Sequence, residues 1–197
     1  MNMEEKTIES ETKEKYQILL DIVRHNYASA VWTHKIQEKQ AEIYHKQYAA
    51  LESINIIAAA FTSCGIITTI FVDSLIAKIA SAVLAFLTLS ITAYYKSFDL
   101  KNMEQKHKES ANKIIVIRNE LMEIIAEIQL QEKPIKDIEI DYLNIMNRLN
   151  NLYVDAPSTT TRAVKKATKA LNVNNEYTYN EEEIDHFLPP ALRGRIK

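Results

Sequence analysis

The five histidines, His25, His34, His45, His107 and His186, are scattered without the spacing that sets paired zinc ligands on one helix face. They read as surface or interface side chains. The acidic run "DIEID" offers Asp137, Glu139 and Asp141 as oxygen ligands for a hard cation, but it lies within a heptad-patterned helix where a solvated face is the simpler account. Cys64 is the only cysteine, which excludes an internal disulfide framework and a zinc site of several thiolates and suits cytoplasmic chemistry. Two glycines, Gly65 and Gly194, are too few to build a phosphate-binding loop or a nucleophile elbow. No catalytic, cofactor-binding or metal-binding residue is assigned, and the chain is expected not to be an enzyme.

Weakly polar side chains in an apolar setting offer a different chemistry. Between Ile54 and Tyr95 only Asp73 and Lys78 are charged, whereas about three in ten positions elsewhere carry a charge. Asn55, Ala59, Thr62, Ile66, Thr69 and Asp73 recur at steps of three and four, as do Lys78, Ser81, Ala85, Thr88, Thr92 and Tyr95, so each set forms one stripe on a helix. Small and hydroxyl side chains let apolar helices approach closely and hydrogen-bond across the contact. Asn55, Thr62, Thr69, Ser81, Thr88 and Thr92 are therefore candidates for a helix-packing stripe that closes a hairpin or joins copies, or for the lining of a water-filled pore. Both readings point to assembly, and a homo-oligomer is expected. A second cluster, "RAVKKATK", carries Arg162, Lys165, Lys166 and Lys169 with no acid, and suits either a solvated helix face or a contact with anionic lipid, nucleotide or a partner protein.

The elements that position these residues follow from composition. With two glycines and four prolines in 197 residues, tight turns are scarce and the fold class is all-α. Ile54 to Val72 is uncharged throughout, and at about 1.5 Å per residue it matches the ~30 Å hydrocarbon thickness. Ile79 to Tyr95 gives a second span that starts from about residue 75 if Lys78 snorkels to the headgroups. A membrane protein with a two-helix transmembrane hairpin at 54–95 (54–72 and about 75–95) results. The charged region before it is unlike a secretory signal. Lysines flank the outer ends of both spans, and Tyr48, Tyr94, Tyr95 and Phe98 mark an interfacial belt there, so both termini are expected to be cytoplasmic. The competing account, a buried hairpin in a soluble bundle, would require charged stripes that these helices lack.

Outside the hairpin, three seams need covering. Ile114, Ile117, Leu121, Ile124 and Ile128 repeat at 3-4 spacing on a helix continuing from the membrane; after Pro134, Ile135, Ile138, Tyr142, Ile145, Leu149 and Leu152 resume it. In the N-terminal region 1–53, Tyr16, Leu19, Val23, Tyr27 and Ala30 follow the same spacing and could pack antiparallel against them; self-association of identical seams is the alternative. Residues 96–155 thus form heptad-patterned helices broken near Pro134, within a cytoplasmic helical bundle. In 156–197, "DAPSTTTR" reads as a loop capping a basic helix from about Thr161 to Leu171, and "YNEEEIDHFL" as a short helix from Asn180 to Phe187. The apolar residues Ile184, Phe187, Leu188 and Leu192 either dock on the helical body or form a linear partner motif.

The ordered set "WTHKIQEKQAEIYHKQY", apolar hairpin, "KHKESANKIIVIRNEL", "APSTTTRAVKKATKAL" and "EEIDHFLPPALR" resembles the SLATT domain, a two-transmembrane effector of bacterial nucleotide-signalling defence systems. Family members usually carry a Pro-Pro-Thr-Thr-like run where this chain has Pro157, Ser158, Thr159 and Thr160. The resemblance implies an oligomeric effector of the bacterial inner membrane that forms a pore or disrupts the bilayer in an anti-phage, abortive-infection-type response. It also implies a cyclic or oligo-nucleotide activator, and as partners a nucleotidyltransferase, reverse transcriptase or sensor protein. No cofactor is expected, and no residue points directly to nucleic-acid binding. The alternative is a membrane-anchored scaffold without a pore, whose cytoplasmic helices recruit a partner.

Overall fold

The computed structural model describes residues 3–71, 74–189 and 193, with side chains from residue 10 onward except those of 69 and 70. Helix α1 runs from Met3 to Phe71 as 69 residues, about 100 Å of continuous helix. Nothing in its sequence stops it, since it contains no proline and its one glycine lies at position 65. The charged segment and the first apolar span therefore share one rod, with no break at residue 53 or 54.

Helix α2, Leu75 to Phe98, runs back along α1. The Ser74 side chain caps it by accepting from the Ala77 amide at 3.4 Å. Helix α3, Leu100 to Leu130, follows after a single residue, Asp99, held in the left-handed region at φ 42° and ψ 50°. The sequence predicts uninterrupted passage from the second span into α3; instead Asp99 breaks the helix. Its short polar side chain makes it one of the few non-glycine types that tolerate this conformation.

Helix α4, Ile135 to Asp155, begins directly after Pro134. It folds back on α3, and the N-terminal half of α1 completes a three-helix core. Leu19, Val23 and Ala30 of α1 meet Ile114, Ile117, Leu121, Ile124 and Ile128 of α3 and Ile138, Ile145 and Leu149 of α4. Each of the larger aliphatic side chains gains about 1.5–3 kcal/mol from this burial. The three seams satisfy one another within one chain, so self-association is not needed to cover them. Helices α5, Thr161 to Asn172, and α6, Glu181 to Phe187, complete the order, and no strand occurs among the described residues.

Candidate functional site

Apolar side chains dominate the outside of the hairpin. Phe61, Ile67, Ile76, Phe86 and Leu89 are all more than half exposed, and only 6 % of either membrane-length window is buried. A soluble core helix would bury these groups. Here the surface must be covered by something as apolar as itself.

Between the two helices the contact is built from small residues. Ala58 and Ser81 are each 8 % exposed, and Gly65 lies so close to Ser81 that a Cβ added there would come within 2.1 Å of Ser81 Oγ. At the base of the hairpin Thr92 Oγ1 donates to Asn55 Oδ1 at 3.4 Å. Two other hydroxyls bond within their own helices: Thr62 Oγ1 donates to the Ala58 carbonyl at 2.8 Å and Thr88 Oγ1 to the Leu84 carbonyl at 2.9 Å. Such back-bonding makes a hydroxyl tolerable in hydrocarbon without a partner across the contact. Asn55, Thr62, Ser81, Thr88 and Thr92 thus lie on or beside the seam between α1 and α2. The Thr69 side chain and Asp73 lie outside the described residues.

The seam is rotated slightly from the stripes read in the sequence. Ala58 and Gly65, not Ile66, sit on the inner side of α1, while Ile66 is exposed and Ala85 of α2 faces outward. A rule that follows hydroxyl groups overlooks a glycine. The spacing of Ala58, Thr62 and Gly65, one small residue per turn, is the signal that would have found the seam.

Below the hairpin lies a buried polar layer that the sequence reading missed. It places all five histidines at surfaces or interfaces, yet His34 is 3 % exposed and His107 is fully buried. The cause is crowding around α1 from Trp32 to Tyr44, where α3, α5 and the segment after α5 all close on one helix. His107 stacks on Tyr44, with centroids 5.5 Å apart, and its Nδ1 pairs with Gln37 Oε1. Burial pushes its pKa down to about 4, so the ring is neutral. Gln37 Nε2 donates to the Pro157 carbonyl at 3.3 Å, and Gln40 Oε1 accepts from both the amide and the hydroxyl of Thr160 at 2.9 and 2.8 Å. The Pro157–Thr160 run is therefore a docking loop read by two glutamines. Thr160 in turn caps α5 by accepting from the Ala163 amide.

A charged clasp lies on the other side of the same layer. Lys35 Nζ reaches Glu38 at 2.9 Å and Glu176 at 2.5 Å, and sits 4.0 Å from the centre of the Tyr177 ring. Burial alone would lower the Lys35 pKa, but the carboxylates of Glu176 and Glu38 hold it well above the ordinary lysine value. Tyr177 donates to Glu38, and burial together with that carboxylate pushes its phenol up to about 12. Among the described residues no three His, Cys, Asp or Glu side chains gather as metal ligands, and Asp137, Glu139 and Asp141 all lie exposed on α4.

On α5, Ala163, Ala167 and Ala170 pack into α1 while Arg162, Lys165 and Lys169 point outward. Lys166 is turned toward Glu42 of α1 at 4.0 Å. Glu42 precedes Ile54 by about 18 Å of helix, two Debye lengths at physiological salt, so the basic helix stands well clear of the end of the apolar span.

A family model described as SMODS and SLOG-associating 2TM effector domain family 4 matches residues 19–183. No curated protein and no solved structure matches the chain.

Proposed function

The chain belongs to the SLATT group, as a member of SMODS and SLOG-associating 2TM effector domain family 4, and from that premise we propose that it is an oligomeric effector that breaches the bacterial inner membrane when a partner signals infection. The match agrees with two helices of membrane length in making this a two-pass membrane protein. The observation that carries the proposal is the outward-facing apolar surface of both helices, which lipid or neighbouring copies must cover. The bundle lies at the open end of the hairpin, which supports both halves of the chain on one side of the bilayer, and the lysines there support the cytoplasmic side.

Support for assembly comes from the same surface. Among the described residues the seam of a single hairpin is closed where Gly65 meets Ser81 and Asn55 meets Thr92. A breach therefore needs several hairpins, or a repacking that frees Thr62, Thr88 and Thr92 from the seam. The family description places these effectors with SMODS and SLOG proteins, and a partner of that kind, a nucleotidyltransferase or a nucleotide sensor, supplies the trigger. The chain itself acts by physical rearrangement rather than by catalysis.

The second reading, a scaffold, is favoured by the back-bonded threonines, which need no water. Dye efflux separates the two. Purified chain reconstituted in anionic liposomes should release a small trapped dye in its assembled form; vesicles that stay sealed in every oligomeric state would replace the effector reading with the scaffold.

A further inference from the structure

Beyond α5 the chain turns back and lays Glu176 and Tyr177 across two helices of the bundle. The amides of Val173 and Asn174 both donate to the Lys169 carbonyl, and that of Glu176 donates to the Ala170 carbonyl, each at 3.0 Å, so the turn is built onto the end of α5. From it the Glu176 carboxylate reaches Lys35 at 2.5 Å and Lys39 at 3.7 Å on α1. The Tyr177 hydroxyl donates to Glu38, also on α1. The ring of Tyr177 lies 4.0 Å from Lys35 Nζ and 5.2 Å from the guanidinium of Arg118 on α3, so one side chain draws cations from both helices.

Two properties distinguish this strap from the core. It is held by charge: the Lys35 side chain is 5 % exposed, and Glu38 and Glu176 supply its counter-charges. It is also strained. Asn175 and Tyr177 sit in the left-handed region at φ 52° and 72°, and while asparagine tolerates that conformation, a bulky aromatic residue rarely adopts it. Such strain persists only where surrounding contacts enforce it, and it recurs at clamps and switches. Lifting the strap relaxes Tyr177 and lets water reach Lys35, Lys39 and Glu176. Ala163, Ala167 and Ala170 of α5, in contrast, bury apolar surface that separation would expose. The strap is therefore the part of this attachment that can be released while α5 stays in place.

We propose that the strap carrying Glu176 and Tyr177 is an autoinhibitory latch. Fastened, it ties α1 to α3 and holds the hairpin closed; released, it frees the two helices to shift against each other. This rests on the effector reading, in which movement of the bundle breaches the membrane, and it names the contact that restrains that movement.

Opening and locking the latch test it, read as release of a small trapped dye from anionic liposomes carrying the full chain. Glu176→Gln with Tyr177→Gly removes the ion pairs and the ring, and glycine takes up φ 72° without strain. Release should rise about tenfold over that of the unaltered chain. In a Cys64→Ser background, Lys39→Cys and Glu176→Cys joined by a short, reducible bismaleimide should keep vesicles sealed, and cutting the linker with reductant should start release. That comparison uses a single chain before and after reduction, so it stands even where the glycine variant folds poorly. Glu42→Gln is the control, since it removes ion pairs to Lys46, Lys39 and Lys166 on the same helix without touching the strap. It should release dye as the unaltered chain does. A latch variant that leaks no faster than a leaking unaltered chain overturns the latch and leaves the effector reading intact, as does a linked chain that leaks as freely as the reduced one. An equal rise in Glu42→Gln overturns it by assigning the effect to lost charge in general. Vesicles that stay sealed with every chain overturn the effector reading, and the latch with it.

Discussion

Gly65 decides how closely the hairpin can shut. An added methyl group there would meet Ser81 Oγ at 2.1 Å and Ser81 Cβ at 3.3 Å, and of these only the hydroxyl can swing aside. Gly65→Ala should therefore be tolerated through rotation of Ser81, whereas Gly65→Leu should pry α1 from α2. In a Cys64→Ser background, an Asn55→Cys, Thr92→Cys pair reports closure, because these side chains already touch at 3.4 Å. Disulfide formation at the unaltered or Gly65→Ala rate is expected, with loss in Gly65→Leu; equal rates in all three would remove Gly65 from the seam. His107 controls stability in the same local way. Its pKa is about 4 in the folded chain against 6.5 when unfolded, so between these values the unfolded chain binds the proton that the folded chain refuses. The stability of the neutral ring is complete above pH 6.5 and is lost as pH falls toward 4. From pH 6.5 to 5 that loss is about 1.5 kcal/mol. Thermal unfolding in detergent should show that slope in the natural chain and a shallower one in His107→Gln. Buried His34, whose pKa is also lowered by burial, keeps part of the slope, and identical slopes would refute the assignment.

At the scale of elements, α5 is held less by its own sequence than by the glutamines beneath it. Gln40 is 1 % exposed and accepts both Thr160 bonds, so Gln40→Ala leaves a buried amide and the helix cap without their partner, at a cost of about 2 kcal/mol. Hydrogen exchange should quicken in α5 while the amides of α3 around Leu121 stay protected; uniform quickening would mean that the core itself depends on Gln40. The difference between these helices also explains what could be read from the chain. Seams such as Ile114 to Ile128 announce themselves because identical burial recurs every three or four residues, and Pro134 and Thr160 mark boundaries by backbone chemistry. The layer from His34 to Gln40 gave no such signal. Its side chains are polar, and they are buried because three segments distant in sequence converge on them, which no local pattern records. Asp99 escaped for the opposite reason, since one left-handed residue leaves the helix-forming pattern on either side unchanged.

For the whole molecule, the long α1 ties events in the bundle to the membrane. The same rod carries Leu19 and Val23 of the core, Gln37 and Gln40 of the polar layer, and Ala58 and Gly65 of the hairpin seam. The helical path from α2 to α3 is broken at Asp99 whereas α1 is continuous, so on the proposed effector reading a signal that shifts the bundle would reach the hairpin as a rotation or tilt of α1. This mechanism requires that the bundle and the turn lie on opposite faces of the bilayer, with the hairpin between them. Thiol labelling measures that arrangement. Cys64 is exposed on the flank of the hairpin, so a water-soluble maleimide should not reach it in sealed vesicles but should label it once detergent removes the lipid. In a Cys64→Ser background, Ser74→Cys at the turn and Lys13→Cys near the start of the bundle should react from opposite sides of the membrane. Labelling of both from one side would eliminate the two-pass arrangement, and with it any path by which α1 could carry a signal from the bundle into the bilayer.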